Sequence, residues 1–575
     1  MAQILSPRSG RRWVVPRTQR PTRVGHALAL IPTIAAALLL VPSVAGAATL
    51  TVETTDDISA TDCTLRNAIT AANDNALTGA CVAGDPSPTV DAIDFDVPAA
   101  STITLGSTLP DIATDMNIGG HGAGQLTISG NDAVQPFIVS SGATASISGL
   151  SIADGLCNAA CGSQGGGVHN EGTLTLDGVN VTDNMAAAGG GSNAFAEGGG
   201  IENNGGTLTI TDSFVSSNTV SASAASNQNA ASAGGIMNRG TLTLNRSTMN
   251  GNSATTDAMG GTSTNANGGA INNSGALTVR RSTLVANTAT GTGGSSNSGV
   301  GGAIANFNSP SVDVTIDRST VSGNSADQQA GGLSVSGGTA TVTGSTFNGN
   351  SAASGANVIG FANTTFRNTI VSDATGGGAN CGGAPASAGY NLEDGSAPGT
   401  CGFTQPTDLH ADPMLDANLA DNGGPTETRA LLAGSPAIDA GRSFGASTDQ
   451  RGEPRPFDLD SIANATGGDG ADVGAFEVQG TPVATSVKLT ASRKKVPEGK
   501  KVKLRVSVTP CPGRAGDPVK LHRGKRKVAT KSLSGDCKAT FKQRIKRTST
   551  FKAVVPAETE HLKGTSNKVK VRVRR

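Results

Sequence analysis

Lysine is absent from residues 49–482, where 11 arginines stand against 39 aspartates and glutamates. That region carries a net charge of −28, whereas residues 483–575 carry +22. A charge difference of this size within one chain predicts two domains with different surroundings. The absence of lysine also excludes a lysine side chain as catalytic base within residues 49–482.

Aromatic residues are scarce too, at 3% of the chain, which favours a narrow interior filled by leucine, valine and isoleucine. The six histidines are scattered, which argues against zinc, and His121 and His169 are interpreted as surface residues because no motif surrounds them. No segment after residue 48 has the roughly 20 apolar residues that cross a bilayer. The mature chain is therefore expected to lack a transmembrane segment.

Residues 1–48 have the pattern of an export signal. Six arginines without any acid precede a short apolar core at residues 27–41, and small residues at 45–47 suit cleavage. A membrane anchor is the alternative, but Pro32 interrupts this core and it is too short to span. Export predicts a secreted or cell-surface protein.

Eight cysteines form four local pairs, which an exported chain predicts to be disulfides. The pairs are Cys63/Cys81, Cys157/Cys161, Cys381/Cys401 and Cys511/Cys537.

Six similar repeats occupy the middle of the chain. Each has a Gly-Gly pair, an apolar residue, a Thr-Leu-Thr-Leu-like stretch and Ser-Thr-apolar-x-x-Asn. The pairs start at Gly166, Gly199, Gly234, Gly268, Gly301 and Gly331, and the closing asparagines are Asn184, Asn218, Asn252, Asn287, Asn324 and Asn350. A nearly fixed period of this length predicts a solenoid, in which each repeat buries its apolar face against the next.

Apolar residues alternate within each repeat, as at Leu174 and Leu176, which predicts short strands. Strands stacked in parallel give an all-β, right-handed parallel β-helix. We expect the closing asparagines to form a ladder, because rungs lie ~4.8 Å apart and an amide both donates and accepts. Asp373 is expected to take that position in the following coil. Small-residue stretches such as 185–197 and 220–233 are predicted to be loops that project from one corner.

Three segments carry a resemblance to known families. The Gly-Gly-apolar element and residues 345–350 (Ser-Thr-Phe-Asn-Gly-Asn) resemble the repeats of polymorphic outer membrane proteins. Residues 63–73 resemble the CSLREA domain, with Thr64 in place of serine and Asn67 in place of glutamate. Residues 422–426, 434–441, 449–452 and 472–477 resemble the choice-of-anchor Q domain. The resemblance covers most of residues 49–477 and implies an exported bacterial β-helix protein without an established enzymatic role.

The expected order of domains follows from these patterns. A short helix beside Cys63 and Cys81 would cover the open first rung, which otherwise exposes unpaired strand edge. The domains are a signal peptide (1–48), a CSLREA-like cap with the first rungs (49–137), the β-helix repeats (138–385), choice-of-anchor Q-like last rungs with a C-terminal cap (386–479) and a basic domain (483–575).

Residues 483–575 alternate apolar and basic residues between turn signals, which predicts a small antiparallel β-sandwich. They resemble the Ig-like domains that end many bacterial surface proteins. Few aromatic residues accompany the basic ones, so nucleic acid is not the expected partner. Anionic envelope polymers or glycans are expected instead, and a solvated spacer is the alternative.

The carboxylates give only weak signals for a metal. Asp458, Asp460, Asp469 and Asp472 are candidate Ca²⁺ ligands, although their spacing matches no known calcium loop. Asp439 and Arg451 are an alternative explanation, as a buried ion pair within the choice-of-anchor Q-like motif. Asp91, Asp94 and Asp96 are expected together on a solvated outer face.

One column of arginines is the main candidate binding site. Aligning the repeats on Ser-Thr places Arg246, Arg281 and Arg318 at one corner, one rung after Asp212. Stacked guanidinium groups would bind uronates or phosphates of an acidic polymer. Adjacent charges ~5 Å apart in a water-like dielectric repel by only about 0.8 kcal/mol, so the column is also tolerable without a ligand.

The preferred function is a non-catalytic one: a monomeric surface or extracellular protein that presents its β-helix for adhesion or carbohydrate contact, with the basic domain as a tether. The alternative is a β-helix polysaccharide lyase or hydrolase acting on acidic glycans. A lyase needs a base and a hydrolase needs two carboxylates at a set separation, and the sequence assigns neither. No cofactor is expected, with Ca²⁺ at the aspartates named above as the alternative.

Overall fold

The computed structural model describes residues 47–190, 193–224, 228–258, 263–294, 296–307, 313–395, 400–480, 485–509, 516–556 and 564–574. The predicted signal peptide lies outside these ranges except for its last two residues, and Cys511 lies outside them as well. Within them no helix has the length and apolar character needed to cross a membrane.

Residues 49–410 form a parallel β-helix, as the repeat predicts. Successive coils contribute strands to three parallel sheets, here named A, B and C. Sheet A consists of Thr49–Val52, Asp91–Phe95, Met116–Gly119, Thr144–Ser148, Thr173–Asp177, Thr207–Thr211, Thr241–Asn245, Ala276–Arg280, Asp313–Asp317, Thr339–Thr343, Thr364–Arg367 and Ala386–Ser387. Sheet B consists of Ser101–Thr104, Leu126–Ser129, Ser151–Ala153, Asn180–Thr182, Phe214–Ser216, Thr248–Asn250, Thr283–Val285, Thr320–Ser322, Thr346–Asn348, Ile370–Ser372, Leu392–Glu393 and Leu409–His410. Sheet C consists of Phe137–Val139, Val168–Asn170, Ile201–Asn203, Ile236–Asn238, Ile271–Asn273, Ile304–Asn306, Leu333–Val335, Val358–Ile359 and Cys381–Gly382.

The core lies between the three sheets, because alternate residues of each strand point inward. In one coil Leu174 of sheet A, Val181 of sheet B and Val168 of sheet C are all buried. Leu174 lies directly opposite Leu208 of the next coil. Burying each such side chain contributes about 1.5–3 kcal/mol, so the stack as a whole stabilises what one coil alone does not.

The small-residue stretches between sheets B and C are strands, so their prediction as loops is wrong. They form two further parallel sheets that we call the fin. Its first sheet, D, consists of Leu156–Cys157, Met185–Gly189, Thr219–Ala224, Ser253–Ala258, Thr288–Thr292 and Ser325–Ala326, and its second, E, consists of Ala194–Glu197, Gln228–Ser232, Ser263–Asn267 and Ser296–Val300. The fin has a separate core made almost wholly of alanine, including Ala186, Ala222 and Ala266.

The six predicted asparagines form a buried ladder next to sheet B. In each step Nδ2 of one asparagine donates to Oδ1 of the next, over 2.9, 2.9, 2.8, 2.8 and 2.9 Å for Asn184, Asn218, Asn252, Asn287, Asn324 and Asn350 in turn. The ladder continues through Asn357 and Asn380, at 2.7 and 2.8 Å, and not through Asp373 as predicted. A carboxylate has no donor with which to pass the pattern on.

A second asparagine ladder, which the sequence interpretation missed, follows the strands of sheet C. Each Nδ2–Oδ1 distance is 2.7 Å along Asn170, Asn203, Asn238, Asn273 and Asn306. The signal was present, since an asparagine stands two residues after the first buried residue of each of these strands.

The strand register corrects two of the six glycine positions. The equivalent residues are Gly166, Gly199, Gly234, Gly269, Gly302 and Gly331, so the pairs placed at Gly268 and Gly301 start one residue too early. Glycine is required here by close approach of neighbouring coils. A Cβ on Gly199 would overlap the carbonyl oxygen of Gly234.

Helix α1 (Leu65–Asp74) packs against the first coils, where Leu65 and Ile69 are buried in the main core. Thr64 caps the helix, because its Oγ1 accepts a hydrogen bond of 3.1 Å from the backbone nitrogen of Asn67. Disulfide Cys63–Cys81 closes the segment that contains the helix. At the other end of the core, the ring of Phe403 lies 5.7 Å from that of Phe366.

Disulfides also join Cys157 to Cys161 and Cys381 to Cys401. Cys537 is disulfide-bonded as well, and its predicted partner Cys511 lies outside the described residues.

Residues 412–480, which we call the clasp, lie along the outer face of sheet B. This differs from the C-terminal cap predicted within residues 386–479, whereas last rungs are present there as Ala386–Ser387, Leu392–Glu393 and Leu409–His410. The outward threonines of the Ser-Thr motifs hold the clasp: the hydroxyl of Thr283 donates to the carbonyl of Glu427 at 2.6 Å, and that of Thr320 to Oε1 of Gln450 at 2.7 Å. Ile370 and Leu392 of sheet B are buried together with residues of the clasp.

Residues 485–574 form two β-sheets around a separate core, in agreement with the predicted sandwich. The first is antiparallel and contains Ser486–Ala491, Lys501–Thr509 and Lys538–Arg544. The second contains Lys495–Pro497, Val569–Arg574, Ser549–Val555, Pro518–Arg523, Arg526–Ser532 and Gly564–Thr565, and is antiparallel apart from its first pair of strands. We call this region the C-terminal module.

Candidate functional site: an arginine corner beside the clasp

The corner between sheets A and B turns through a left-handed residue in successive coils. The φ angle is 61° at Gly178, 48° at Asp212, 49° at Arg246, 47° at Arg281 and 48° at Arg318. Glycine adopts this conformation freely and aspartate tolerates it, whereas a residue with a long side chain loses about 1–2 kcal/mol. Three consecutive coils therefore carry arginine at a position where arginine is conformationally unfavourable.

Two of these three arginines have partners within the chain. Arg246 donates from Nε to Oδ1 of Asp212 at 2.7 Å. Arg318 donates to Asp317 and, through Nη1, to the carbonyl oxygen of Thr448 in the clasp at 3.0 Å. Only 6% of the Arg318 side chain is exposed, so Arg318 holds the clasp and is not free to bind a ligand.

Arg281 lies between them, and its guanidinium group has no hydrogen-bond or ion-pair partner among the described residues. Partial burial lowers the pKa of Arg281, and the charges of Arg246 and Arg318 lower it further. The charge of Asp212 offsets part of this shift, but its carboxylate is hydrogen-bonded to Arg246, so Arg281 has no ion-pair partner of its own among the described residues. An anion that binds here would supply one.

A groove of about 510 Å³ lies beside this corner, between the outer face of sheet A and clasp residues 443–447. Threonines of successive coils lie along its floor, at Thr278, Thr315 and Thr341, spaced by ~4.8 Å. Arg280, Arg318 and Arg367 line it together with Asp317. Arg280 is the most accessible of these, with 55% of its side chain exposed.

Phe444 fixes the clasp loop at the groove. The guanidinium carbons of Arg367 and Arg442 lie 5.1 and 5.6 Å from the centre of its ring, within range of cation–π attraction. Tyr390 packs against the same ring with its centre 5.9 Å away. Besides Arg367 of sheet A, the clasp therefore brings one further cation, Arg442, close to the groove.

This arrangement suits recognition of anionic sugars. A guanidinium group binds a carboxylate or sulfate through two parallel hydrogen bonds, and threonine hydroxyls donate to and accept from sugar hydroxyls. The repeat spacing presents these groups at regular intervals along the axis.

The candidate Ca²⁺ ligands do not form a metal site. Among the described residues no three acidic, histidine or cysteine side chains are placed to hold one ion. Asp472 is buried and accepts a hydrogen bond from the backbone nitrogen of Asp439, whereas Asp469 accepts one from the backbone of Ser443. Asp458 bonds to Asn464, and Asp460 is exposed. Asp458, Asp469 and Asp472 thus face separate donors of the clasp.

The predicted ion pair of Asp439 and Arg451 is also wrong. Arg451 donates from Nε to Asp449 at 2.8 Å, and Asp439 accepts from the backbone nitrogen of Leu459. A second buried pair joins Arg455 to Glu477 at 2.6 Å. Arg451 also donates to the carbonyl oxygen of Glu477 at 2.6 Å, so both arginines join the segment around residue 450 to Glu477 within the clasp.

His169 is not an isolated surface residue, which corrects that interpretation. Its Nδ1 lies 2.9 Å from a carboxylate oxygen of Glu202, which is buried in the next coil, and this hydrogen bond raises the pKa of His169. Arg239 pairs with Glu202 and also with Glu197 of the fin. The cluster therefore joins the fin to sheet C.

The three N-terminal aspartates do not share a face. Asp91 is buried and accepts a hydrogen bond from the backbone nitrogen of Asp85, whereas Asp94 and Asp96 are exposed. The reason is the period of two in a strand, which places positions 91 and 94 on opposite faces.

The C-terminal module has a basic groove of about 670 Å³. Among the described residues that line it there are six bases and no acid; the bases are Lys488, Lys494, Lys495, Lys568, Lys570 and Arg572. The alternation of basic and apolar residues places these side chains outward.

No known family profile matches the chain, and no curated protein matches it significantly. A solved structure with a detectable local likeness is a superoxide reductase (neelaredoxin) from Ignicoccus hospitalis, at 16% identity and a TM-score of 0.14, covering 17% of this chain and 82% of that one. Another is the sulfur carrier protein SoxY of Chlorobium limicola f thiosulfatophilum, at 14% identity and a TM-score of 0.13, covering 16% of this chain and 86% of that one. Likenesses this weak carry no argument about fold or function.

Sequence reasoning located the arginine corner but missed the groove. Arg280 and Arg367 each end a sheet A strand with outward parity, so a signal for them existed. The contribution of Phe444 had no such signal, because the clasp returns to the sheet from a position far along the chain.

Proposed function

We propose that this is an exported protein whose β-helix contacts an acidic glycan through the arginine corner and the adjoining groove. The observation that carries the proposal is Arg281, a left-handed arginine between two other arginines and without an acidic partner among the described residues. Its charge and its conformation both cost stability, and an anionic ligand offsets the first of these costs.

The C-terminal module is proposed to hold the protein near an anionic cell envelope. Its basic groove supports this, since the described lining residues include closely spaced lysines and no acid, and such a surface attracts polyanions such as wall polymers or phospholipid head groups. The resemblance to CSLREA and choice-of-anchor Q proteins fits a surface or extracellular location.

Titration of the purified mature chain with hexagalacturonate tests the glycan proposal. We expect binding that weakens with salt, and Arg280→Gln/Arg281→Gln should reduce the affinity by about tenfold or more, because each charge-assisted hydrogen bond contributes about 1.5–3 kcal/mol. Arg318 is left intact because it holds the clasp.

Lys503→Gln/Arg505→Gln is the matched control, since it removes the same charge from exposed positions of the C-terminal module. Equal losses in the two double variants would mean that only net charge matters and would refute a site at the corner. New unsaturated sugar ends in the titrated sample would replace the adhesion proposal with that of a lyase.

A further inference from the structure

The clasp leaves part of sheet B uncovered, and a second groove of about 360 Å³ begins where it stops. Thr426 and Glu427 of the clasp are fixed to the coil of Thr283: Thr426 donates to the carbonyl of Arg281 at 3.2 Å, and Thr283 donates to that of Glu427. The next coils toward the N-terminus carry Thr248 and Phe214 at the same outward position. Phe214 lies two rungs, about 10 Å, from Thr283. An open shelf therefore remains at Thr248 and Phe214 beside the clasp, wide enough for one six-membered ring.

Phe214 is the unusual residue of this shelf. The other outward residues in this column are serine, asparagine or threonine from Ser151 to Thr346, and the next apolar one, Ile370, is buried beneath the clasp. Phe214 has no such cover and remains 48% exposed. Val285 and Pro425 extend the apolar surface across the groove.

Hydrogen-bonding groups surround the phenyl ring. Ser216 and Asn250 lie on the floor, and Asp421 and Glu427 stand on the clasp side. Asp421 uses Oδ1 to accept the backbone N–H of Gly423, and its other oxygen has no partner among the described residues. The carboxylate of Glu427 also has no hydrogen-bond partner among the described residues, although its backbone oxygen accepts hydrogen bonds from Thr283 and Gln450.

From this combination we infer that the groove binds a neutral hexopyranose unit of a polysaccharide, glucose or N-acetylglucosamine. The C–H face of such a ring packs on an aromatic side chain, while carboxylates and amides bind its hydroxyl groups. The volume matches the lower end of known small-ligand sites. Two carboxylates repel a uronate, so the groove selects against the acidic sugars that suit the arginine corner.

Calorimetric titration of the mature chain with cellohexaose and with N-acetylated chitohexaose tests this inference, and hexagalacturonate is the charged counter-probe. At least one neutral hexasaccharide should bind. The one with the higher affinity shows whether the groove prefers glucose or N-acetylglucosamine. Phe214→Ala should weaken that binding by about tenfold. The matched control Phe361→Ala removes a ring that is 56% exposed outside the groove and should leave the affinity unchanged.

Asp421→Asn/Glu427→Gln keeps the shape of the groove and removes its charge. This variant should bind the neutral sugar several-fold more weakly and should no longer select against hexagalacturonate at this groove. Arg280→Gln/Arg281→Gln should not affect the neutral sugar, which separates this site from the arginine corner. The inference is overturned if neither of the two neutral hexasaccharides binds. It is also overturned if wild type and Phe214→Ala bind the sugar with equal affinity and have the same melting temperature.

Discussion

Asn252 donates a hydrogen bond of 2.8 Å from its side-chain Nδ2 to Oδ1 of Asn287, 35 residues further along the chain. The same oxygen of Asn287 also accepts the backbone nitrogen of Asn252. Asn252 in turn donates to the carbonyl of Val215 and accepts from Asn218. One buried amide therefore satisfies groups of three coils at once.

Asn252→Ala should lower the free energy of unfolding by about 2–4 kcal/mol, because it leaves several buried polar groups without partners and opens a small cavity. Asn252→Asp should cost at least as much, since a carboxylate has no donor for Asn287. Chemical denaturation followed by far-ultraviolet circular dichroism measures both. Asn245→Ala, at an outward position of the same coil, is the control and should change little. Equal stabilities for Asn252→Ala and Asn245→Ala would contradict a structural role for the ladder.

The architecture could be predicted because its signals are local and periodic. Leu174 and Leu176 define a strand by themselves, and the repeat places equivalent strands on top of one another. The same alignment placed Arg246, Arg281 and Arg318 at one corner. The fin has an equally regular pattern in Val220, Ala222 and Ala224, but alternation of alanine with serine gives little contrast in hydrophobicity. Alanine is also depleted in strands, so the sequence pattern favours a loop.

The position of the clasp could not be predicted from the sequence, for a different reason. Thr320 and Gln450 are 130 residues apart, and nothing periodic links them. The threonines of three Ser-Thr motifs, Thr283, Thr320 and Thr346, resemble ordinary outward strand residues in the sequence, yet they hold the clasp. The groove beside Phe444 and the shelf beside Phe214 both depend on where the clasp lies, so neither site could be derived from the repeats alone.

The conformation of Arg281 predicts a conflict between stability and binding. Arg281→Asn should raise the free energy of unfolding by about 1 kcal/mol, because asparagine tolerates the left-handed conformation and removes a charge between two arginines. The same variant should bind hexagalacturonate more weakly. Arg246→Asn is the control at an equivalent corner, where loss of the ion pair with Asp212 should cancel the conformational gain. Thermal unfolding of the two variants measures this. Equal shifts in melting temperature would show that the ion pair between Arg246 and Asp212 does not affect stability.

The basic groove of the C-terminal module predicts a tether. Deletion of residues 483–575 should release the protein from cells into the medium more completely than raised salt does, because salt only screens the attraction. Lys494→Gln/Lys495→Gln/Lys568→Gln should give an intermediate result without removing the module. Fractionation and immunoblotting measure the bound share. The same distribution for full-length and truncated protein would refute the tether.

Asp472 and Glu477 predict a dependence of stability on pH. Burial, together with the charge of Glu477, raises the pKa of Asp472 from 3.8 to about 8. The native protein then keeps a proton at neutral pH that the unfolded chain releases above about pH 4. Where the native state binds more protons than the unfolded state, stability falls as pH rises. This contribution is fully present below pH 4, is lost progressively between about pH 4 and pH 8, and changes little above that.

Asp472→Asn removes one of two titrating groups, so the melting temperature of the variant should lose the part of this decline that Asp472 contributes, whereas burial still raises the pKa of Glu477. A constant offset is expected as well, because the amide replaces one carboxylate oxygen that accepts a backbone N–H, but an offset does not alter the slope. Asp460→Asn, at an exposed carboxylate of the clasp, is the matched control and should follow the wild type. Calorimetric scans from pH 4 to pH 9 give the three curves. If the difference in melting temperature between wild type and Asp472→Asn is the same at every pH, then Asp472 does not hold its proton in the folded protein. In that case Arg455 alone compensates the charges of Asp472 and Glu477.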